Sequence, residues 1–528
     1  MNIWTVAREY AGIAEAGGVK NVSCSLSESL VELGNHVTLF IPLYGCTDLS
    51  SVSKFDCAWH HPVTVTVNGE EILLTFSHGI RNGVEIVFVG NRMFSEKKAV
   101  YTYTKEEERN NPHHRRGRGH VDSLSLNTLF EKAVVAYGET CLSMEQPDII
   151  HCHDAATAMV PSFIEEAKEN NLKLRAFYWH TKCMVTIHNA GHGYHHEFNS
   201  VADAVACTGL PRSMLTLGLN DGHVEPFLLA SHYARLTTVS PQYADEVVTQ
   251  DENTGGLAKH FRADDTTIVG ITNGIDYERY DPQNLEASLL PYAFNPLEND
   301  LQGKYKCRSI FLSKYASLSS LELHINKTVE QHGYLEKTLD ENMVYIVYHG
   351  RVVNQKGIGV LERAARIVLE KRMPVNFIFI GQGEPELEEK LMQLSSDYAG
   401  KVVFFSGYDK AFSRLCIAAA DFAVMPSNFE PCGIEDFIAQ IYGTLPVAHA
   451  TGGLRKIVDE ETGFLYDDNT PENLALMLHS LVKITSLAGK NVFNKMIGFA
   501  ARYIKENYSW RKVTELYLEL YRSMVDEV

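Results

Sequence analysis

Short apolar runs alternate with stretches of helical periodicity along almost the whole chain. In the first half the runs are Ile3–Val6, Val37–Ile41, Asp148–His151, Met184–Ile187 and Leu236–Val239. In the second they are Val344–Tyr348, Val375–Ile380, Val402–Phe405, Phe422–Met425 and Leu445–Val447. Continuous apolar runs of this length mark strands buried on both faces of a parallel sheet. Between them, Val22–Leu33, Leu126–Tyr137, Val360–Leu369 and Leu387–Leu394 carry apolar residues at helical spacing. The alternation predicts an α/β protein, and the two sets of strands predict two doubly wound domains. One segment breaks the pattern: Val63–Val67, Asn68-Gly69 and Ile72–Phe76 read as a β-hairpin at a sheet margin. The domain boundary is expected between Ile271–Asp276 and about Asn342, a region broken by Asp281-Pro282, Leu290-Pro291 and Asn295-Pro296. Trp510–Val528 is an amphipathic helix with no strand after it.

Size and charge narrow the possibilities. A chain of 528 residues is too long for one core. A formal net charge of -18 argues against nucleic acid or an anionic membrane as partner, although a local basic cluster can still hold a small anion. The ten cysteines show no C-x-x-C spacing, which reads as reduced thiols in a cytoplasmic protein. Met1–Val6 enters a strand with neither a basic n-region nor a long apolar h-region, so no signal peptide is expected. No apolar run is long enough for a membrane span.

Candidate chemistry gathers at strand ends. The strand Phe422–Met425 runs into Pro426-Ser427-Asn428-Phe429-Glu430-Pro431-Cys432-Gly433-Ile434. This places the Glu430 carboxylate at the edge of the sheet where open α/β folds bind ligands. Gly443-Thr444-Leu445-Pro446-Val447 then leads to Ala450-Thr451-Gly452-Gly453-Leu454, whose glycines admit a phosphate to the backbone. A carboxylate beside such a loop suggests a nucleotide-sugar site. Strand Ile3–Val6 leads through Arg8–Gly18 to a helix near Val19, a geometry that favours phosphate or pyrophosphate. This loop lacks the Gly-x-Gly-x-x-Gly and Walker spacings, and Gly381-Gln382-Gly383 lacks a third glycine and reads as a turn.

His151-Cys152-His153-Asp154 and His188-Asn189 also follow strands. A histidine there can donate to a sugar hydroxyl, and an aspartate can accept from one. Equally, such a histidine can be satisfied by a neighbouring carbonyl. His192, His195 and His196 lie near His188 but show no committed metal-ligand spacing. The tract His113–His120 reads as a solvated loop or a contact for a polyanion or glucan. Arg351 and Lys356 share the loop after Val344–Tyr348, where they can neutralise a departing diphosphate without a metal ion.

With these residues in place, the chain resembles the bacterial glycogen synthase and plant starch synthase family. The segments that carry the likeness are Gly17-Gly18-Val19, His151–Asp154, Thr186–Asn189, Thr237–Pro241, Ile271–Asp276, Gly350-Arg351 with Gln355-Lys356-Gly357, Phe429–Gly433, Gly443–Pro446 and Thr451–Leu454. The resemblance implies the GT-B fold, two Rossmann-like doubly wound domains facing an interdomain cleft. It implies an N-terminal acceptor-side domain over 1–268, with the helix 506–528 packing back on it. A nucleotide-sugar-binding domain would span 269–505. The implied activity is transfer of glucose from a nucleotide-glucose, ADP-glucose before UDP-glucose, to the non-reducing end of an α-1,4-glucan with retention. Arg351 and Lys356 would hold the diphosphate, Glu430 and His188 the glucose, and Asp154 the donor glucose or acceptor. Gly17, Gly18, Asn189, Cys432, Gly433, Thr451, Gly452 and Gly453 would line the substrates. No metal and no cofactor are implied.

Three departures bear on the donor. The family loop carries Lys-Thr-Gly-Gly where this chain has Glu15-Ala16-Gly17-Gly18. An Asn-Phe-x-Lys-like run is replaced by Val224-Glu225-Pro226-Phe227. Related retaining transferases carry a second glutamate where Phe437 stands, with Glu435 and Asp436 out of register. The alternatives are another retaining GT-B transferase, an α-glucan phosphorylase, and a catalytically silent glucan-binding relative. A phosphorylase needs a lysine Schiff base with pyridoxal phosphate, and no segment resembles that site. The joint presence of Arg351, Lys356 and Glu430 argues against a silent relative.

Overall fold

A computed structural model describes the chain apart from residues 58–60, 141–145, 321–327, 339, 341, 486–488 and 527–528. The chain divides into two compact units, Met1–Gly274 with Trp510–Val528, and Ile275–Ser509.

The N-terminal unit holds β1 (Asn2–Val6), β2 (His36–Pro42), β3 (Ser53–Asp56), β4 (Val63–Val67), β5 (Glu70–Arg81), β6 (Val84–Gly90), β7 (Ile149–His153), β8 (Lys182–Ile187), the short pair β9 (Leu219–Asn220) and β10 (His223–Val224), β11 (Arg235–Thr238) and β12 (Ile268–Gly270). Its main sheet runs β12-β11-β8-β7-β1-β2-β6-β5-β3, with β4 on β5. Pairing is parallel from β12 to β6, and β3, β4 and β5 form an antiparallel margin. The expected hairpin is β4–β5: Asn68 at φ 54° and Gly69 at φ 76° make a turn whose twist matches the strands. A boundary after residue 268 would cut β12, which pairs with β11, so the break comes after Gly274 instead. The last helix, Trp510–Asp526, belongs to this unit because Val513, Tyr517, Leu518, Tyr521 and Met524 form one buried stripe. Residues 506–509 stay with the other unit.

The C-terminal unit holds β13 (Val329–Leu335), β14 (Val344–His349), β15 (Val375–Gly381), β16 (Lys401–Gly407), β17 (Phe422–Met425), β18 (Leu445–His449) and β19 (Phe464–Tyr466), in the order β13-β16-β15-β14-β17-β18-β19. Only β13 is antiparallel, against β16. Along β14, Val344, Ile346 and Tyr348 enter one core cluster while Tyr345 and Val347 enter another. Both faces are therefore buried, which is why the run is apolar throughout rather than alternating. β13 falls in the segment expected to be irregular. Its sequence, VEQHGYL, is half-exposed and polar, so periodicity did not mark it. No helix among the described residues is long and apolar enough to cross a membrane.

Candidate active site

In the N-terminal unit β7 and β8 end side by side and place Asp154 next to His188 and Asn189. Asp154 takes a positive φ of 65°, and its Oδ1 accepts from the His188 N–H at 2.8 Å and the Asn189 N–H at 3.4 Å. One carboxylate oxygen thus ties the two strand ends together. Burial pushes the Asp154 carboxyl up to about 7, against the pull of those two N–H groups. His188 Nε2 lies 3.0 Å from His153 Nδ1. Deeper, His151 Nδ1 meets the Tyr521 hydroxyl of the last helix at 2.7 Å and Nε2 meets Thr186 Oγ1 at 2.6 Å. Burial lowers His188 and His151 to about 3 and holds His153 well below its ordinary value. Burial thus favours the neutral ring over the imidazolium along this row, His188 included.

The glycine loop is arranged differently from the expectation of a free phosphate cradle. Glu9 Oε2 accepts from the Ala16 N–H at 3.0 Å and the Gly17 N–H at 2.5 Å. What these amides hold is the chain's own buried Glu9 side chain, whose carboxyl burial raises above its ordinary value. Glu15, standing where the family has lysine, pairs with Lys20 at 2.8 Å and accepts from the Gly12 N–H at 2.7 Å. Its charge is therefore offset locally. Two histidines of the basic tract pack against Tyr103. His114 stacks on Tyr103 with centroids 4.2 Å apart, while His120 is buried and lowered to about 4 by desolvation. Arg115, Arg116 and Arg118 face solvent.

The C-terminal unit assembles its residues more tightly. Lys356 forms an ion pair with Glu430, which also accepts from Ser427 Oγ at 3.2 Å. The loops carrying them touch because Gly357 has no side chain: a Cβ there would collide with Pro426 O, and its φ is 69°. Gln355 joins the same loops through Asn428 N–H to Gln355 O, 2.9 Å, and Gln355 Nε2 to Phe429 O, 3.1 Å. Arg351 is exposed at the rim. His349 Nδ1 meets Glu435 at 2.7 Å; burial would lower this histidine, but the carboxylate prevails and raises it. A cavity of 340 Å³ opens among His349, Arg351, Lys356, Gln382, Tyr408 and Glu430. Tyr408, 57 % exposed, presents an aromatic face, and Gln382 comes from the segment expected to be only a turn.

The Thr451–Gly453 loop braces Glu430. Its Gly453 N–H donates to Glu430 O at 2.8 Å, and its Thr451 N–H to His449 O at 2.8 Å. These two amides are committed within the protein, and through the first the loop positions the glutamate. Lys456 locks the assembly: Nζ donates to Cys432 O (2.6 Å), Gly433 O (2.9 Å) and Gly453 O (3.0 Å), and lies 2.9 Å from buried Asp436 Oδ1. Lys456 falls in none of the motifs read from the sequence, and Asp436 entered there only as a residue out of register with the family's second glutamate. Cys432 is buried under this clamp, a packing position. A larger cavity, 600 Å³, lies at the other edge of the N-terminal sheet among Trp179, Lys182, Arg235 and Asp265, away from all of these residues.

Two doubly wound units with ligand-type residues at their strand ends define a GT-B glycosyltransferase. The family model "Starch synthase catalytic domain" matches residues 2–263, and "Glycosyl transferases group 1" matches residues 344–483. A glycogen synthase of Thermodesulfovibrio yellowstonii is 28% identical over 100% of this chain and 98% of its own length. One of Exiguobacterium sibiricum is 27% identical over 99% of each. The catalytic domain of starch synthase IV from Arabidopsis thaliana, solved with ADP and acarbose, aligns over 99% of each chain with a TM-score of 0.77 at 22% identity, a likeness of fold. The chain belongs to the bacterial glycogen synthase and plant starch synthase family.

Proposed function

We propose that this protein transfers glucose from a nucleotide-glucose, ADP-glucose by preference, to the non-reducing end of an α-1,4-glucan with retention of configuration. The observation that carries the reading is the cavity holding Arg351, Lys356 and Glu430 together in a family member of net charge -18. The donor diphosphate is assigned to Arg351 and Lys356, which supply the positive charge that Mg²⁺ brings elsewhere. Lys356 then moves its charge from Glu430 to phosphate, and Glu430 becomes free to accept from glucose hydroxyls. Tyr408 gives the base a face to stack on. In the N-terminal unit His188 and Asn189 are assigned to the transferred glucose and acceptor. Asp154 acts through them, holding both backbone amides in place.

In the step itself, the bond from the anomeric carbon to the diphosphate oxygen breaks as the bond to the acceptor O4 forms on the same face. The acceptor proton passes to the departing phosphate oxygen. Double displacement would need a carboxylate free to attack the anomeric carbon. Asp154 Oδ1 is engaged by two amides and Glu430 is assigned to the glucose hydroxyls, which favours same-face attack. The deciding experiment is transfer from labelled ADP-glucose and UDP-glucose, in parallel, to glycogen with EDTA present. Faster transfer from ADP-glucose, unaffected by EDTA, is expected. Transfer to glycogen from neither donor would sink the reading. A glucosyl ester trapped on Asp154 or Glu430 with a fluorinated donor would sink the same-face step.

A further inference from the structure

Two segments that this function leaves unused meet beside the loop carrying His188. One is the histidine-rich stretch after β8, and the other is Val224-Glu225-Pro226-Phe227, which departs from the family pattern. Backbone bonds between Phe198 and Val224, 3.0 Å in each direction, hold the two together. His195 and Glu225 are 4 % and 3 % exposed, with His195 Nδ1 3.3 Å from Glu225 Oε1. Glu197 reaches the same point from the surface, and one ligand atom from each of the three residues lies within 4.8 Å of the others.

Two features point to a missing partner. His195 Nε2 donates to Ala190 O at 2.8 Å, which orients the ring so that Nδ1 faces Glu225 Oε1. A metal-bound histidine is characteristically anchored in this way. Glu225 Oε2 is buried with no hydrogen-bond partner among the described residues. A protonated His195 would answer Oε1 but leave Oε2 unanswered, and an unanswered buried carboxylate oxygen is costly.

We propose that His195 Nδ1, Glu225 and Glu197 bind one divalent transition-metal cation of the zinc type, with water completing a four-coordinate shell. The ion touches no substrate. It braces the loop through Ala190, whose N–H donates to the Tyr243 hydroxyl at 2.8 Å, next to His188 and Asn189. Histidines 192 and 196 stay outside the set.

The test uses the full-length protein stripped with EDTA and titrated with ZnCl₂ by calorimetry. With 22 histidines and ten cysteines in the chain, the informative readout is the difference between proteins. Wild type should bind one equivalent more than His195→Asn or Glu225→Gln, and Glu197→Gln should weaken that equivalent by roughly tenfold or more. Zn²⁺ should raise the Tm of wild type and not that of Glu225→Gln. If His195→Asn fails to fold, Glu225→Gln and the visible spectrum of Co²⁺-loaded wild type against it still decide. Equal stoichiometry in wild type and both variants, or a Co²⁺ spectrum unchanged by Glu225→Gln, would overturn the proposal. Because turnover is expected without the ion, EDTA-sensitive activity would count against the functional reading and not against this site.

Discussion

The two units hold their candidate residues at the same place, the carboxyl ends of parallel strands, yet treat charge in opposite ways. The N-terminal unit buries its groups and silences them. His151, His153 and His188 are pushed toward their neutral forms, and Asp154 is pushed toward its protonated form. Its glycine loop closes on an internal side chain, Glu9. The C-terminal unit matches its charged groups in pairs: Lys356 with Glu430, His349 with Glu435, and Lys456 with Asp436, whose carboxyl burial raises to about 6 against the pull of the lysine. Neutral hydrogen-bonding groups suit a sugar, whose hydroxyls carry no charge. Paired cations suit an anion, because a diphosphate can displace the internal acid at small net electrostatic cost.

The contrast can be broken most severely at Lys456. Lys456→Met strands Asp436, which is fully buried, without its cation. The expected loss is about 3–5 kcal/mol of C-terminal-unit stability, read by urea unfolding. Lys456→Met with Asp436→Leu should recover most of it; no recovery would show that Lys456 acts through the Cys432, Gly433 and Gly453 carbonyls instead.

Next come Lys356→Ala and Arg351→Ala. Each removes a preorganised charge, so kcat should fall by about a hundredfold, or roughly 3 kcal/mol, with the fold intact. A change below threefold in both would remove the C-terminal loop from the chemistry.

A third measurement addresses the silenced unit. Asp154 has a folded value of about 7 against an ordinary 3.8. The folded state then binds more protons than the unfolded state in that window. This group's contribution therefore favours folding below about pH 4 and is lost as pH rises toward 7, each tenfold difference in proton affinity between the two states being worth about 1.4 kcal/mol. The three lowered histidines act with the opposite sign, losing stability as pH falls below 6.5. Asp154→Asn still accepts from the His188 N–H and removes only the first contribution. The variant should gain on wild type as pH rises from 5 to 7, measured by denaturant unfolding; parallel curves would refute the raised value.

The smallest effect is expected at Glu15. Its pair with Lys20 is partly exposed, and such pairs contribute about 0.2–1 kcal/mol. Glu15→Lys should tighten ADP-glucose binding by no more than about fivefold by calorimetry. An unchanged Kd would show that the donor does not approach this loop.

Much of the architecture was legible because buried parallel strands must be apolar on both faces. Phe422–Met425 was read to the residue, and the Asn68-Gly69 hairpin followed from its need for two positive φ values. β13 was missed for the same physical reason in reverse, since a half-exposed edge strand carries no continuous apolar run. Arg351, Lys356 and Glu430 were legible as charges at strand ends, and the structure brings them to one cavity.

What the sequence by itself determined was therefore the layering of the two units, the family and the residue types available at each strand end. Tertiary structure alone decided which charges meet. Glu9 and Gly17 are eight residues apart in sequence, Asp436 and Lys456 twenty, and Glu225 and His195 thirty, and none of these pairs follows a helical or strand period. A carboxylate is a ligand, a clamp or a plug according to what folds against it, and burial, which sets its charge, belongs to the assembled fold rather than to any segment.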